Sequence, residues 1–285
     1  MLDLLNLKTL IRADSSSSIG HGHIRRDLVL ASKFKNVHFA SIRLDGDIFD
    51  EINYSKFSLV SKSLDELCNL IKNEGFELLV IDHYGINEED EKFIKNKTGI
   101  KILAFDDTYE PHLSDYVLNV NLYADKAKYK KILKKECKVF CGSKYLLVRD
   151  EFYKEAKTKR NKIYDYAVIL GGTDILNLTV KISQILLAKD LKTAVITTKA
   201  NKSLDKLKSI NDKNFRLFID SKNVAKLMNE AKTLIISASS LVNEAYILGA
   251  KFKAIYVADN QKEIFLWLKQ NRYEAFSVDD ICKNL

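Results

Sequence analysis

The stretch Ile11-Arg-Ala-Asp-Ser-Ser-Ser-Ser-Ile-Gly-His-Gly-His23 decides the fold of the first half of the chain. An apolar run from Leu5 to Ile11 leads into it, and an amphipathic run from Ile24 to Phe34 follows it, which is the order strand, loop, helix. We therefore predict a helix that begins near His23, with its unpaired backbone N–H groups facing the loop.

The glycines and histidines at the end of this loop are the first candidate functional residues. Gly20 and Gly22 lack a Cβ, so the backbone there can approach a ligand closely. His23 lies at the predicted helix N-terminus, whose partial positive charge favours an anion and disfavours a protonated imidazole. A neutral His23 could act as a general base near pH 7, and a merely solvated histidine is the alternative. A zinc site of His21 and His23 is weaker, because no Cys or Asp/Glu pair nearby completes it.

Length and charge limit the classes of function. A chain of 285 residues predicts two domains, which we place at residues 1–155 and 156–285. The 46 Lys and Arg exceed the 38 Asp and Glu and give a net charge of +8. Because the lysines are scattered, we do not expect a nucleic-acid partner, and the basic balance suits a small polyanion such as a nucleotide diphosphate.

Cysteine usage and hydropathy point to a soluble cytoplasmic protein. The four cysteines are irregularly spaced, so we expect four reduced thiols (Cys68, Cys137, Cys141 and Cys282). The N-terminus has no signal pattern, and no apolar stretch reaches the length of a membrane span, so we expect no membrane association.

Strand and helix patterns alternate along the first half of the chain. Nearly continuous apolar runs, typical of buried parallel strands, alternate with helical periodicity. The predicted strands are Val37–Ile42, Phe76–Ile81, Ile100–Phe105, Tyr116–Asn121 and Val139–Gly142, and the predicted helices are Leu64–Glu74 and Glu88–Lys97. Polar residues follow several strands, and ligands of open parallel sheets bind beyond the carboxyl ends of the strands. The loops at 12–23, 82–85, 106–108 and 119–121 should therefore line one crevice.

The alternation resumes after a polar, lysine-rich segment at 149–162. Further strands are predicted at Tyr166–Leu170, Thr193–Thr197, Phe215–Ile219, Thr233–Ser237 and Phe252–Val257, with helices between them. The chain thus predicts an α/β fold of two Rossmann-like domains that face a cleft.

The second half carries its own anion-binding signals. Gly171 and Gly172 follow a predicted strand, as in phosphate-binding loops, but without a full dinucleotide or Walker motif. Ser239 and Ser240 precede a helix, where a serine is equally well explained by helix capping. Glu244, one turn into that helix, could bind a ribose diol or could simply complement the helix dipole.

These residues together form a recognisable pattern along the chain. Its members are Arg12, Asp14, Ser15, Gly20, Gly22, His23, Arg26, Asp27, Asp82, His83, Tyr84, Phe105, Asp106, Asp107, Leu118, Asn119, Asn121, Gly171, Gly172, Thr173, Ser237, Ser239, Ser240, Asn243 and Glu244. Over nearly the whole chain the pattern resembles the UDP-sugar hydrolases of pseudaminic acid biosynthesis, a family that itself resembles the GT-B glycosyltransferases. His21 stands where the family need not have histidine, so no role is carried over to it.

The resemblance implies a function and a division of labour. The family cleaves the C1–O bond of UDP-2,4-diacetamido-2,4,6-trideoxy-β-L-altropyranose with inversion, with water in place of a transferase's acceptor. It implies that His23 is the general base in an N-terminal domain that holds the sugar, and that UDP binds the C-terminal domain. It also implies a metal-independent enzyme without cofactors, although the pair Asp106 and Asp107 would suit Mg²⁺. A role in flagellin glycosylation follows from the pathway, and we expect a monomer.

The resemblance also implies which side chains contact the substrate. For the sugar side these are Asp14, Gly22, Asp82, His83, Tyr84, Asp107 and Asn121. For UDP they are Gly171, Gly172, Thr173, Ser239, Ser240, Asn243 and Glu244, with the backbone of Ile219 at uracil and with Asn260 and Gln261 at sugar or phosphate.

Two other functions stay open on the sequence. A glycosyltransferase of the same fold would use an acceptor hydroxyl instead of water, and fold alone does not separate the two reactions. A non-catalytic nucleotide-sugar sensor would keep the UDP loop but would need no base at His23.

Overall fold

The computed structural model describes residues 2–174 and 176–285, which form two compact units. The first unit ends at Leu147 and the second begins at Val148. The sequence places the boundary near residue 155, but the intervening residues include a helix that packs within the second unit.

The first unit is built on a seven-stranded parallel sheet. Its strands are β1 (Lys8–Ala13), β2 (Asn36–Ile42), β3 (Ser55–Leu59), β4 (Leu78–Asp82), β5 (Lys101–Phe105), β6 (Tyr116–Asn119) and β7 (Lys138–Cys141). They lie in the order β3-β2-β1-β4-β5-β6-β7. The chain therefore reverses direction across the sheet between β1 and β4, the point where ligands of such sheets bind.

Helices connect these strands and cover both faces of the sheet. They are α1 (Gly22–Ala31), α2 (Leu64–Glu74), α3 (Glu88–Thr98) and the single turn α4 (Lys126–Tyr129), with 3₁₀ turns at Leu2–Asn6, Phe49–Glu51 and Ser143–Tyr145. Alternate residues of β1 point to opposite faces: Ile11 packs in one apolar cluster with Ile24 of α1, and Leu10 packs in the other with Ile71 of α2.

Local sequence signals set the ends of α2 and α3. The Ser63 hydroxyl accepts the N–H of Glu66 at the start of α2, and Asn87 forms a capping box with Asp90 at the start of α3. Each helix ends at a glycine with positive φ, which turns the chain directly into the next strand. These caps fix where β4 and β5 begin, and hence where their carboxyl ends deliver polar residues.

The second unit repeats the arrangement with six parallel strands. They are β8 (Tyr164–Ile169), β9 (Thr193–Thr197), β10 (Phe215–Ile219), β11 (Ala231–Ser237), β12 (Phe252–Ile255) and β13 (Glu274–Phe276), in the order β10-β9-β8-β11-β12-β13. Its helices are α5 (Asp150–Glu155), α6 (Leu178–Leu187), α7 (Leu204–Lys208), α8 (Val224–Asn229), α9 (Leu241–Ile247), α10 (Lys262–Gln270) and α11 (Val278–Ile281), with a 3₁₀ turn at Asp259–Gln261. None of the helices in residues 2–174 and 176–285 combines the length and apolarity that crossing a bilayer requires.

The predicted fold class, α/β with two Rossmann-like domains, is confirmed. The sequence missed four short elements, namely β3, α4, β13 and α11. It also assigned the whole run from Leu5 to Ile11 to a strand, whereas the first part forms a 3₁₀ turn. Leu4 is buried there and the carbonyl of Leu5 accepts the N–H of Lys35, so this turn is held by the segment after α1.

Candidate active site

His23 is the second residue of α1, at the carboxyl end of β1. Its side chain is 12% exposed, and its Nδ1 atom lies 2.6 Å from Oδ1 of Asp82, the last residue of the neighbouring strand β4. A carboxylate only accepts hydrogen bonds, so Nδ1 carries the proton. The Tyr84 ring meets the imidazole edge-on, with ring centroids 4.8 Å apart. The arrangement fixes the tautomer and leaves Nε2 as the basic nitrogen of a neutral His23.

Arg26 links this pair to the next strand. One turn after His23 on α1, its Nε and Nη2 donate to the two oxygens of Asp82, both at 2.6 Å, and its Nη1 donates to Asp107 at 2.8 Å. The guanidinium also lies over the Phe105 ring, 4.7 Å from the centroid. Arg26 thus binds Asp82 through two hydrogen bonds and Asp107 through one, and its planar guanidinium holds the two carboxylates at a fixed separation.

Asp107 accepts hydrogen bonds from α1 and from the loops after β4 and β6. Besides Arg26, it accepts the Tyr84 hydroxyl at 3.0 Å and the amide of Asn121 at 2.7 Å. The Tyr123 hydroxyl donates to its backbone carbonyl. We name the connected set His23, Arg26, Asp82, Asp107, Tyr84 and Asn121 the carboxylate network.

The direction of the His23 pKa corrects an expectation from the sequence. The helix N-terminus was expected to disfavour the protonated imidazole. Burial does disfavour it, but the charge of Asp82 and the hydrogen bond to it, with the charge of Asp107, raise the pKa of His23 above its ordinary value of 6.5. The expectation was wrong because it left out the carboxylate of Asp82 in direct contact with the ring.

Asp82 is ionised in spite of its burial. Its side chain is 2% exposed, which by itself would favour the neutral acid, yet the charges of Arg26 and His23 hold its pKa well below the usual range. The carboxylate can therefore stabilise an imidazolium formed at His23 when the ring accepts a proton.

A second ion cluster lies beside β1 and β2. The Arg12 guanidinium donates to both oxygens of Asp14, at 2.5 and 2.9 Å, and the N–H of Ile42 donates to it as well. Nε2 of His83 donates to Asp14 at 3.0 Å, while its Nδ1 accepts the N–H of Gly85, so the two hydrogen bonds define its tautomer. Burial opposes ionisation of Asp14, but His83 and Arg12 hold its pKa well below the usual range.

The predicted polar loops of the first unit thus do come together. The network joins His23, Asp82, Tyr84, Asp107 and Asn121, while Asp14 and His83 form the adjoining cluster and Gly22 is the first residue of α1. His21 is not in the network and contacts the carbonyl of Gly46 at 3.0 Å. Sequence reasoning gave no role to Arg26. Its spacing of three residues from His23, which puts both on one helix face, was the available signal.

The glycine loop of the second unit offers backbone donors. Gly171 has φ +85°, a conformation that glycine adopts without strain, and it follows the carboxyl end of β8. The carbonyl of Gly172 accepts the Thr198 hydroxyl at 2.8 Å, which anchors the loop to the end of β9. Within the described residues, the N–H groups of Gly172 and Thr173 donate to no backbone or side-chain acceptor.

The N-terminus of α6, directly after this loop, is already occupied by a side chain. The buried carboxylate of Asp174 accepts the N–H groups of Leu178 and Thr179 at 3.1 and 2.9 Å. An anion at this edge therefore meets the loop itself rather than the helix behind it.

The segment after β11 lies beside the glycine loop, because β8 and β11 are neighbours in the sheet. The Ser239 hydroxyl contacts that of Ser237 at 2.9 Å, and Ser240, at the N-cap of α9, makes no side-chain capping bond. Capping alone therefore does not account for Ser240. Asn243 is buried in the same helix.

Glu244 faces a cation that the sequence did not assign. Its carboxylate accepts Nη2 of Arg149 at 3.2 Å, and Arg149 also pairs with Glu151 at 2.7 Å. The remaining predicted residues are dispersed along the carboxyl edge. Ile219 ends β10, which is separated from β8 by β9, and Asn260 and Gln261 lie in the 3₁₀ turn after β12, where Gln261 accepts the N–H of Val257.

No group of three or more His, Cys, Asp or Glu in the described part of the chain has the geometry to hold a metal ion. Of the pair Asp106 and Asp107, Asp107 belongs to the carboxylate network. Oδ1 of Asp106 accepts the N–H groups of Thr108 and Tyr109 at 2.8 and 2.9 Å, while its Oδ2 is buried without a hydrogen-bond partner among the described residues.

The two parallel-sheet α/β units have the fold of the GT-B class. The crystal structure of MurG from Acinetobacter baumannii has a TM-score of 0.61 over 95% of this chain and 86% of that chain, at 12% identity. The spinosyn rhamnosyltransferase SpnG, complexed with spinosyn aglycone, has a TM-score of 0.64 over 98% of this chain and 88% of that chain, at 10% identity. Such low identities show the fold alone.

Sequence comparison identifies the family within this fold class. No family model matches the chain. A protein of Campylobacter jejuni named UDP-2,4-diacetamido-2,4,6-trideoxy-beta-L-altropyranose hydrolase is 52% identical over 271 residues, which cover 94% of this chain and 98% of that protein. The chain belongs to the family of this hydrolase.

Proposed function

We propose that this protein hydrolyses UDP-2,4-diacetamido-2,4,6-trideoxy-β-L-altropyranose to UDP and the free 2,4-diacetamido-2,4,6-trideoxy sugar, as a step of pseudaminic acid biosynthesis. The substrate comes from the name of the Campylobacter relative, which is 52% identical over almost its full length. The observation that carries the chemical role is the 2.6 Å hydrogen bond between His23 Nδ1 and Asp82, because it prepares the other ring nitrogen to accept a proton.

The base in this reaction is Nε2 of His23. It accepts a proton from the water that attacks C1 of the sugar on the face opposite UDP, the C1–O bond breaks, and the configuration at C1 inverts. Asp82 stabilises the imidazolium that forms, and it stays ionised because Arg26 also neutralises it. The proton then passes to solvent, which restores the neutral ring.

UDP leaves with a growing negative charge that oriented donors stabilise without reorganisation. The unpartnered N–H groups of Gly172 and Thr173 are suited to this, with the Gly171 turn bringing the chain close to the phosphates and the segment of Ser239 and Ser240 beside it.

The rest of the nucleotide uses the same edge of the second unit. Glu244 accepts hydrogen bonds from the ribose diol, Asn243 supports α9, and the backbone of Ile219 faces uracil. Asn260 and Gln261 contact the sugar or a phosphate.

The sugar binds the first unit. Tyr84, Asp107 and Asn121 offer a hydroxyl, a carboxylate and an amide at one point, which suits the N–H and C=O groups of an acetamido substituent. Asp14 and His83 lie with Gly22 and Asp82 around the remainder of the ring. We further infer a metal-independent monomer that acts in the cytoplasm and serves flagellin glycosylation.

The test is to incubate the protein with the UDP-sugar alone in H₂¹⁸O. We expect equimolar UDP and free sugar, with one ¹⁸O atom in the anomeric hydroxyl and none in UDP, and with an inverted anomer detected by NMR before mutarotation. Label in UDP would mean cleavage at phosphorus and would reject the mechanism.

A transferase is the competing reaction of the same fold. Release of sugar only after an acceptor alcohol is added, with the sugar attached to that alcohol, would reject hydrolysis. Saturable UDP binding without turnover under either condition would favour a nucleotide-sugar sensor.

A further inference from the structure

Asp27, the residue after Arg26 in α1, has a fully buried carboxyl group. It is 0% exposed, and neither oxygen accepts a hydrogen bond from any N–H or O–H group of the described residues. A buried carboxylate without donors is strongly disfavoured, because nothing replaces the water it has lost. The absence of donors points to a carboxyl group that is not ionised.

The carboxyl group nearest to Asp27 in this arrangement is that of Asp82. Asp27 follows His23 by four residues in α1 and so lies on the helix face from which His23 reaches Asp82, and the charges that act on it are those of Asp82 from β4 and Arg26 from its own helix. Nε and Nη2 of Arg26 donate to Asp82 and its Nη1 donates to Asp107, so its donors are directed away from Asp27. Two neighbouring buried carboxyls cannot both ionise readily, so one of them keeps a proton.

The donors around the pair decide which of them keeps it. Asp82 accepts hydrogen bonds from His23 and, twice, from Arg26, all at 2.6 Å, and each of these stabilises the ionised form. Asp27 has no comparable donor. The proton therefore belongs on Asp27, which can donate it to the free lone pair of Asp82.

We propose that Asp27 is a positioning residue, a neutral carboxylic acid that donates a hydrogen bond to Asp82 and so holds Asp82 in the orientation that fixes the His23 tautomer. Asp82 is then restrained from three sides, by His23, Arg26 and Asp27. The proposal rests on the hydrolysis proposed above, because its main readout is turnover.

The titration of the two carboxyls agrees with this assignment. Burial and the adjacent charge of Asp82 raise the pKa of Asp27 well above its usual range, whereas Arg26 and His23 lower that of Asp82. Burial and the charge of Asp82 thus both favour the neutral acid at Asp27. Asp27 should therefore contribute no charge to the protonation of His23.

A matched pair of uncharged variants tests the proposal. Asp27→Asn keeps an N–H donor of the same size, whereas Asp27→Leu keeps the shape and removes the donor. We expect D27N to keep kcat within about twofold of the wild type and D27L to lose about tenfold in kcat with little change in KM, the size expected for one hydrogen bond. Equal kcat values in the two variants would show that the hydrogen-bond donor at position 27 does not affect turnover, which would overturn the proposal.

The pH profile of kcat/KM distinguishes a neutral Asp27 from an ionised one. With Asp27 neutral, D27N leaves the acid limb of kcat/KM where it is in the wild type. An ionised Asp27 would add negative charge to the set of Asp82, Asp107, Arg26 and His23, so D27N would lower the pKa of His23 and move the limb to lower pH. That shift would overturn the proposal.

A substrate-free readout keeps this test apart from the proposed function. The His23 Nδ1 proton should give a downfield ¹H NMR signal, assigned by its loss in His23→Asn. We expect the signal in wild type and D27N and its displacement or loss in D27L, even if the UDP-sugar is not hydrolysed. An unchanged signal in D27L would contradict the positioning role, and a wild type without turnover would reject hydrolysis alone.

Discussion

The two units share the order of their first six strands but differ in the chemistry at their carboxyl edges. In the first unit, β1, β4 and β5 deliver ionisable side chains that pair through Arg26. In the second unit, the equivalent strands β8 and β11 deliver glycines and serines, and the available donors are mainly backbone N–H groups. In the proposed mechanism, the first edge accepts a proton and the second binds an anion.

The comparison teaches that the strand order provides the place for a ligand and the residues after each strand decide the chemistry. The Asp residues of the first edge suit a buried imidazole that has to become an imidazolium, because a carboxylate stabilises that charge. The Gly and Ser residues of the second edge would suit a diphosphate, because they offer donors without bulk.

The largest effect should come from removing the base in the first unit. His23→Ala should lower kcat about 10²–10⁴-fold, the usual contribution of general base catalysis, while calorimetry should find the Kd for UDP unchanged. His21→Ala is the matched control, because His21 contacts only a loop carbonyl and should retain activity. Near-normal turnover of H23A would show that His23 is not the base. Loss of UDP binding in H23A would contradict the assignment of UDP binding to the second unit alone.

A smaller effect should come from the second unit. Glu244→Ala should raise the Kd for UDP about 10–100-fold through loss of charge-assisted hydrogen bonds to ribose. Arg149→Ala removes the ion-pair partner of Glu244 but keeps its carboxylate, and should change Kd less than about threefold. If the two variants weaken binding equally, Glu244 acts through its ion pair and not through the nucleotide.

The pH dependence of kcat/KM should report the effect of the neighbouring carboxylates on the pKa of His23. Since Asp82 and Asp107 raise its pKa, kcat/KM should rise with pH through a value above 6.5, because only the neutral ring is a base. Asp82→Asn removes a negative charge while Arg26 stays, so the acid limb should move to lower pH by about one unit. An acid limb that stays in place in D82N would mean that another group titrates there.

The last prediction concerns metal ions, whose removal should have no effect on turnover. Turnover in excess chelator should equal turnover with added Mg²⁺, because the carboxylates that could bind the ion are engaged by Arg26, Tyr84 and backbone N–H groups. A chelator-sensitive rate, restored by Mg²⁺, would overturn the metal-independent mechanism.

The sequence predicted the parts of the fold with strong periodicity. α2, β9 and β10 have the predicted bounds because each combines a clear apolar pattern with capping or turn residues. β3 and β13 were missed because Ser55–Leu59 and Glu274–Phe276 are short and only partly buried. Their structure depends on pairing with β2 and β12, and such tertiary contacts leave little trace in a single sequence.

The site could be predicted as a set of loops but not as a network. The rule that polar residues follow buried strands found Asp82, Asp107 and Asn121. That rule could not predict that Arg26 joins Asp82 to Asp107, nor that the pKa of His23 is raised. Both depend on distances between strands that are far apart in the sequence. The resemblance to a family supplied the substrate, which no pattern of residues encodes.

The position of α5 has a consequence for the integrity of the second unit. Phe152 is fully buried, and the carboxylate of Glu155 receives Arg160 and the side-chain amide of Asn229 from α8. The segment that the sequence marks as a linker is therefore an integral part of that unit. A fragment starting at residue 148 keeps this helix, whereas one starting at residue 156 would expose the apolar surface of α8 that α5 covers, and we expect that shorter fragment to aggregate.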